Sequence, residues 1–584
     1  MPSTLSGYYY GATGATGAYG YAPAGGKAGA PGGAGGTGGA GYTLAAGGSG
    51  AVSGVIVGGQ GGLGGYSPYL ASGNGGAGGT GLAVTAAASV ANSGLIAGGC
   101  GGCGGYFAGT EGAAIIVGGS GGAGGAGVTL AAGSTLSNSG GVYGGDGGAP
   151  GLYSTGAGGG GGAGVVLAGA GTVYNAGAGV IAGGQGACGL SAYYGQIATA
   201  GGAGGTGVAL NAGGTVNNQG VITGGCGGAN GYGGYAPQGT GVALYGGGTV
   251  VNGGTGNSCA FIEGYVGVLA TGSAAATVIN YGTIEGEGGT AVQFSSAASK
   301  FVAEPGSVIE GTVVGGGGAL VIAGGAGTIT GFGGAGKMTG AISGGFSDFG
   351  SYVIDANADW TTTGAQTLAA GEVLKADGGA QFTATGALAN AGVVKAAAGG
   401  AITLENTVAN SGRLKTTGGE LTVQGAVTGT GSASIKGGVL AFGSGFSQNV
   451  AFKDGTGELI LAKSQSFGGA ISGFASAGGT SLDLRDIGFV SAGEAKFSGT
   501  ASGGVLTVSD GEHTAKITLI GDYLGSSFVA RSDGHGGVII TDPSKTAAFV
   551  TAMGAMAGSG EASLASAHLM SAPTATTLAR PASG

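Results

Sequence analysis

The feature that most constrains this chain is that it repeats. Gly207–Gly225 reads GVALNAGGTVNNQGVITGG, and related segments begin at Gly41, Gly81, Gly127, Gly164, Gly241 and Gly267. Successive starts are 40, 46, 37, 43, 34 and 26 residues apart, while the motif itself keeps nearly one length. A fixed motif at variable spacing is the pattern of a stacked coil whose loops vary on one side. Apolar and small residues alternate within it in three stretches: Val208 and Leu210, then Val216, then Val221 and Ile222. Short alternating runs bounded by Gly-Gly or Asn-x-Gly predict strands. Three strands per repeat predict one coil of a parallel β-solenoid (β-helix), stacked at about 4.8 Å per coil. The expected fold class is all-β.

One polar position recurs as Asn-x-Gly, at Asn92, Asn138, Asn175, Asn218, Asn252 and Asn280. Asparagine suits a corner, and its amide can bond the same amide one coil away. The alternative for this column is a ligand site; the corner ladder is the expectation. Ser89, Thr135, Thr172, Thr215, Thr249 and Thr277 form a parallel hydroxyl column. An ice-binding face would need several such columns, and only one is legible.

Glycine supplies 158 of 584 residues, yet ten prolines cannot sustain a collagen repeat. The glycines concentrate in GGx triplets such as Gly58–Gly65 and Gly98–Gly105, with a second run such as Gly75–Gly81 leading back into the next motif. Period three is that of a polyproline-II-type helix. Ordering glycine costs more chain entropy than ordering any other residue. The runs can therefore be ordered only by stacking and bonding sideways, as polyglycine-II-like loops forming a second layer on the N-terminal coils; floppy loops are the alternative. Between paired runs lie aromatics: Tyr66 and Tyr69, Tyr106 and Phe107, Tyr153, Tyr193 and Tyr194, Tyr232 and Tyr235, with Tyr8, Tyr9, Tyr10, Tyr19 and Tyr21 at the start. Stacked coils would align these rings as a tyrosine-rich edge for contact with another molecule, unless they only cap their loops.

Charge excludes whole classes of function. From Met1 to Phe261 the titrating charges are Lys27, Glu111 and Asp146; the other 38 of 41 begin at Glu263. A half with almost no acid or base and no imidazole has little means for proton chemistry, and a net charge of −9 gives no basic patch for nucleic acid. A solenoid polysaccharide lyase would need clustered carboxylates and basic residues. No enzyme activity, cofactor or metal is expected. Five cysteines, Cys100, Cys103, Cys188, Cys226 and Cys259, cannot all pair within one chain. Cys100 and Cys226 share the repeat position of Gln60, Asp146 and Gln185, three coils or about 14 Å apart, too far for a disulfide. Near the C-terminus, His513 with Asp510 and His535 with Asp533 read as turn chemistry rather than a metal site.

Gly-Gly interrupts every apolar run, so no membrane-spanning helix is expected, and the first residues lack the basic and leucine-rich regions of a cleavable export signal. Ser3–Gly7 echoes Ser134–Ser137, so the chain reads as opening in the middle of a coil without a polar cap. From about Ala274 the corner motif continues without glycine runs, as in Asn390-Ala391-Gly392 and Asn410-Ser411-Gly412. Four regions are expected: 1–262, a Gly/Tyr-rich repeat solenoid; 263–450, tighter coils; 451–545, a C-terminal β domain; and 546–584, a tail.

Ser481-Leu482-Asp483-Leu484 with Asp486-Ile487-Gly488-Phe489, Leu519–Tyr523, and Ser532–Gly537 carry a resemblance. The stretch from Gly311 to Pro543 resembles the β-strand-repeat surface and secreted proteins of alphaproteobacteria, which are similar to adhesins and autotransporter-like passengers. The resemblance implies an extracellular destination, with an uncleaved type I-like secretion signal within Thr546–Gly584. Together these readings predict a secreted or cell-surface structural protein that stacks head to tail on copies of itself, as filaments or biofilm matrix. The alternative is an adhesin whose tyrosine edge binds polysaccharide or a host surface.

Overall fold

The structure is a computed structural model, and it describes residues 3–544 apart from 22–29, 46–47, 68–69, 107–117, 154, 193–196 and 356. The chain is an all-β parallel solenoid, with strands stacking coil upon coil into sheets of 20, 27 and four strands. One coil comprises Val208–Leu210, Thr215–Asn218 and Val221–Thr223. Its second strand pairs in register with Thr172–Asn175 on one side and with Thr249–Asn252 of the next coil on the other. Alternation sends Val208, Leu210, Val216 and Ile222 into the core, all fully buried. Val221, by contrast, is only half-buried, so Ile222 alone faces inward from the third strand.

The third strand of one coil and the first strand of the next lie in the same sheet, and the glycine hairpin is an excursion between them. The strand Phe261–Ala270 makes this visible. Its first residues pair with Val221–Thr223, and its last with Val242–Leu244. Where the hairpin is omitted, the two short strands merge into one of ten residues. Thr283–Phe294 continues this, bulged where the excursion would have left.

Beyond this point the core widens. Trp360, Tyr352, Phe301, Phe346 and Phe382 are fully buried where earlier coils use Val, Leu and Ile. Ala326–Thr330, Gly336–Gly340 and Ser343–Ser347 form an antiparallel insertion. Parallel pairing continues past residue 451 to Thr480–Leu484. The chain then reverses. Ala495–Thr500, Gly503–Ser509 and Thr514–Ile520 pair antiparallel, and Val538–Thr541 folds back on Thr480–Leu484. Phe474, Tyr523 and Phe528 fill the space beneath this closing layer. Among the described residues no helix is long and apolar enough to cross a membrane. The tail 546–584 lies outside them.

The first coil corrects the register read from sequence. Ser3–Leu5 pairs with Gly50–Val52, which continues to Val90–Asn92 and Leu136–Asn138. Leu5 therefore shares its column with Asn138, not with Leu136. The slip of two residues keeps every inward residue inward, because the side-chain period of a strand is two. It also places Leu5 and Val52 in the asparagine column, below the point where amides begin.

Candidate functional site

The glycine runs give the N-terminal half its particular surface. In Gly58–Tyr66 the first glycine of each triplet bonds the following coil: Gly58, Gly61 and Gly64 donate to the carbonyls of Ala97, Cys100 and Cys103, each at 2.9 Å. The second bonds an antiparallel run: Gly59, Gly62 and Gly65 donate to Gly39, Gly36 and Gly33 at 2.7–2.8 Å. Returning runs do likewise, as Gly76 donates to Gly62 and Gly78 to Ala123. The hydrogen bonds thus have period three, and outgoing and returning runs make two layers back to back. A Cβ on Gly61 would stand 1.9 Å from the Gly76 carbonyl oxygen, and one on Gly62 1.9 Å from that of Ala15. With a carbon–carbon bond of about 1.5 Å, each oxygen lies at most about 3.4 Å from the glycine Cα, within reach of a Cα–H···O contact. The third residue of each triplet faces outward, exposed at Gln60 and Leu63 and half-buried at Tyr66. Side chains on the outgoing face therefore fall on a fixed grid.

Three of the sequence-selected tyrosines occupy one line of that grid. Tyr19, Tyr66 and Tyr106 each end a third triplet, and their rings follow one another at centroid distances of 6.3 and 5.0 Å. Tyr153, Tyr232 and Tyr235 are exposed but stand outside this line. Tyr69, Tyr193 and Tyr194 lie outside the described residues. Tyr9 meets Tyr42 edge-on at 5.6 Å, and both pack on the end of the core.

The asparagine column is continuous and buried. Asn92 donates to Asn138 at 2.7 Å, Asn138 to Asn175, Asn175 to Asn218 and Asn218 to Asn252 at 2.8 Å, and Asn252 to Asn280 at 2.9 Å. Asn280 ends the series on the Ser307 hydroxyl at 2.6 Å. Each amide also donates to the backbone at its own corner, as Asn175 does to Gly179 at 3.0 Å. A fully bonded buried column offers a ligand no open donor or acceptor. A second series runs from Asn390 to Asn410 to Gln448. Ser89, Thr135, Thr172, Thr215, Thr249 and Thr277 share one outward column by register.

All five cysteines are free and exposed. The bonds from Gly61, Gly101, Gly147 and Gly186 put Cys100, Asp146, Gln185 and Cys226 in one line. That line edges a groove of about 570 Å³ between the glycine layer and the third-strand sheet, where Tyr143 also stands. His513 and His535 belong to tight turns. Asp510 accepts the amides of Gly488 and His513 and the His513 ring, and these amides, His513 first, hold its carboxyl below the usual carboxylate range. Asp533 accepts the amides of His535 and Gly537. Among the described residues no group of His, Cys, Asp or Glu has the arrangement of a metal site.

An acidic column emerges only with the register. Glu263, Glu285 and Glu310 lie directly beside one another on adjacent parallel strands. Burial, then a hydrogen bond and repulsion from Glu287, then repulsion from Glu285, push Glu263 up to about 7. Burial and repulsion from Glu310 and Glu287 also raise Glu285. The signal was present as a thrice-written Ile-Glu-Gly at Ile262–Gly264, Ile284–Gly286 and Ile309–Gly311. Compared with known proteins, the chain matches no family model and no curated sequence.

Proposed function

We propose that this chain is an extracellular structural protein, similar to the β-strand-repeat surface proteins of alphaproteobacteria, whose solenoids stack head to tail into surface filaments or a biofilm matrix. The observation that carries this reading is the state of the sheet edges. At the first coils, Ser3–Leu5, Tyr8–Tyr10 and Tyr42–Leu44 each pair on one side only among the described residues. At the other end, Ala495–Thr500 and Val529–Ser532 do the same. Among the described residues each large sheet therefore ends at both ends on a strand paired on one side, a ready template for another chain. Lys496 and Arg531 lie on the second pair of edges, while the first three carry no charge.

The edge of the glycine layer supports the same polarity. The first outgoing run has Ala12, Ala15 and Ala18, exposed, where later runs have the second glycine of each triplet. Side chains at these positions leave no room for a further run, so the layer stops there. A partner end built of tight coils, like the C-terminal one, asks for no further run. This reading assigns the chain no catalysis. Negative-stain microscopy of the purified full chain should show unbranched filaments; a strictly monomeric species at high concentration rejects the proposal.

The line of Tyr19, Tyr66 and Tyr106 favours a second reading, an adhesin that holds polysaccharide or a host surface on its aromatic edge. On that reading Tyr66→Ala with Tyr106→Ala abolishes retention on an insoluble polysaccharide and leaves filament formation unchanged.

A further inference from the structure

We infer that two copies of the chain pair face to face across the outgoing glycine layer, joined by reciprocal disulfides between Cys100 of each copy and Cys226 of the other. The inference rests on the self-assembly reading and adds a lateral contact to the end-on one. Both thiols are exposed and stand in one line, with Asp146 and Gln185 between them. The three coil steps separate them by about 14 Å, so no bridge can form within one chain.

Their placement is symmetric about a point midway between Asp146 and Gln185. A two-fold axis lying in the face through that point, parallel to the glycine runs, brings Cys100 of one copy over Cys226 of the other. The same operation sets Asp146 against Gln185. Contacts of this kind are isologous and self-limiting. The neighbouring line is Leu63, Cys103, Ala149, Cys188 and Ala229, read from the bonds of Gly64, Gly104 and Gly189. There the axis sets Cys103 on Ala229 and Ala149 on Cys188, small residues on small.

A disulfide needs its Cα atoms about 5.5–6 Å apart; the other two positions of each triplet on these lines are mostly glycine, and the tall Tyr143 one triplet inward is set by the axis on Ala182 of the other copy, a small residue. Asp146 is its charged group. One carboxylate oxygen accepts the Gln185 amide of its own chain at 2.8 Å; the other faces the side-chain amide of Gln185 in the second copy. The two lines cover about 20 Å by 20 Å, or roughly 800 Å² counting both copies. Stable interfaces bury about 1,200–2,000 Å², so the pairing depends on its covalent bonds. Each bridge forms as two thiols release two protons and two electrons. With dioxygen as oxidant, the four electrons and four protons from two bridges convert one O2 to two waters.

The test starts with full-length chain purified in reductant and exchanged into air-saturated buffer. Non-reducing electrophoresis should show a species of twice the chain mass that collapses on adding reductant. Each bridge uses one Cys100 and one Cys226, so Cys100→Ala alone and Cys226→Ala alone should each remove the dimer completely. Cys103→Ala, Cys188→Ala and Cys259→Ala should leave it unchanged. A dimer that survives Cys100→Ala or Cys226→Ala, or no dimer in the unaltered chain, overturns the inference. Filaments without covalent dimers reject the lateral contact and keep the end-on one; dimers without filaments do the reverse.

Discussion

Asn175 has an amide neighbour on each side, accepting from Asn138 and donating to Asn218, both at 2.8 Å. Removing it strands polar groups in a dry column, at about 1–3 kcal/mol for each buried partner left unmatched. We predict that Asn175→Val lowers the denaturation midpoint and speeds amide exchange in the flanking coils. Asn92→Val should cost less, because Asn92 has one amide neighbour and Val52 on its other side. The acidic column gives a pH dependence. Glu263 has an ordinary value of 4.5 and is raised to about 7 in the fold. Its contribution to stability is present in full below 4.5 and is lost as pH rises through about 7. The chain should therefore melt at a lower temperature at pH 8 than at pH 5, and Glu263→Gln should narrow that difference. The asparagines were legible in sequence because each follows its motif at one offset. The glutamates share a written cue, Ile-Glu-Gly, but spacings of 22 and 25 residues set them side by side only when strand register is known.

At the scale of the element, the glycine triplet assigns a separate task to each position. Two positions meet neighbouring backbones, and the third faces out. Gly62→Ala would drive a methyl group to 1.9 Å from the Ala15 carbonyl oxygen, while Gln60→Ala merely trims an exposed side chain. We predict that Gly62→Ala abolishes amide-exchange protection across Gly58–Gly65 and the runs it bonds, and that Gln60→Ala leaves protection intact. Runs as unprotected as a free peptide in the unaltered chain would contradict the hydrogen-bond pattern itself. The triplet period was visible in sequence, since glycine at two positions in three has a direct steric cause. The two-residue slip of Ser3–Leu5 was not, because a shift of two preserves the inward and outward alternation that pattern reading depends on. The antiparallel insertion 326–347 escaped for a similar reason: its strands alternate like those of any coil, and alternation does not encode strand direction.

For the molecule as a whole, 38 of 41 charges begin at Glu263, and the glycine layer ends just before it. End-on growth through uncharged first-coil strands is backbone pairing, with little electrostatic steering to screen. The rate of filament growth, followed by light scattering, should change by no more than about twofold between low and high salt. A steep loss with salt would place the contact on the charged C-terminal surface. The closing antiparallel sheet was not foreseen, since Ala495–Ile520 alternates as the coils do and its reversal is set by tertiary pairing. The excursion between Val221–Thr223 and Val242–Leu244 leaves from one corner and returns to it, so its length is independent of the core. The tip between the two runs varies in length, but the paired runs are constrained. Every outgoing triplet is bonded to a returning one, so the layer can widen only by six residues at a time, three in each run, reaching about 9 Å further per increment. A single-residue insertion within a run would put the rest of that run out of phase and turn exposed side chains onto carbonyl oxygens, whereas one at the tip between the runs would leave both in step. The breadth of this surface is therefore a whole number, and mutation can alter it only by counting.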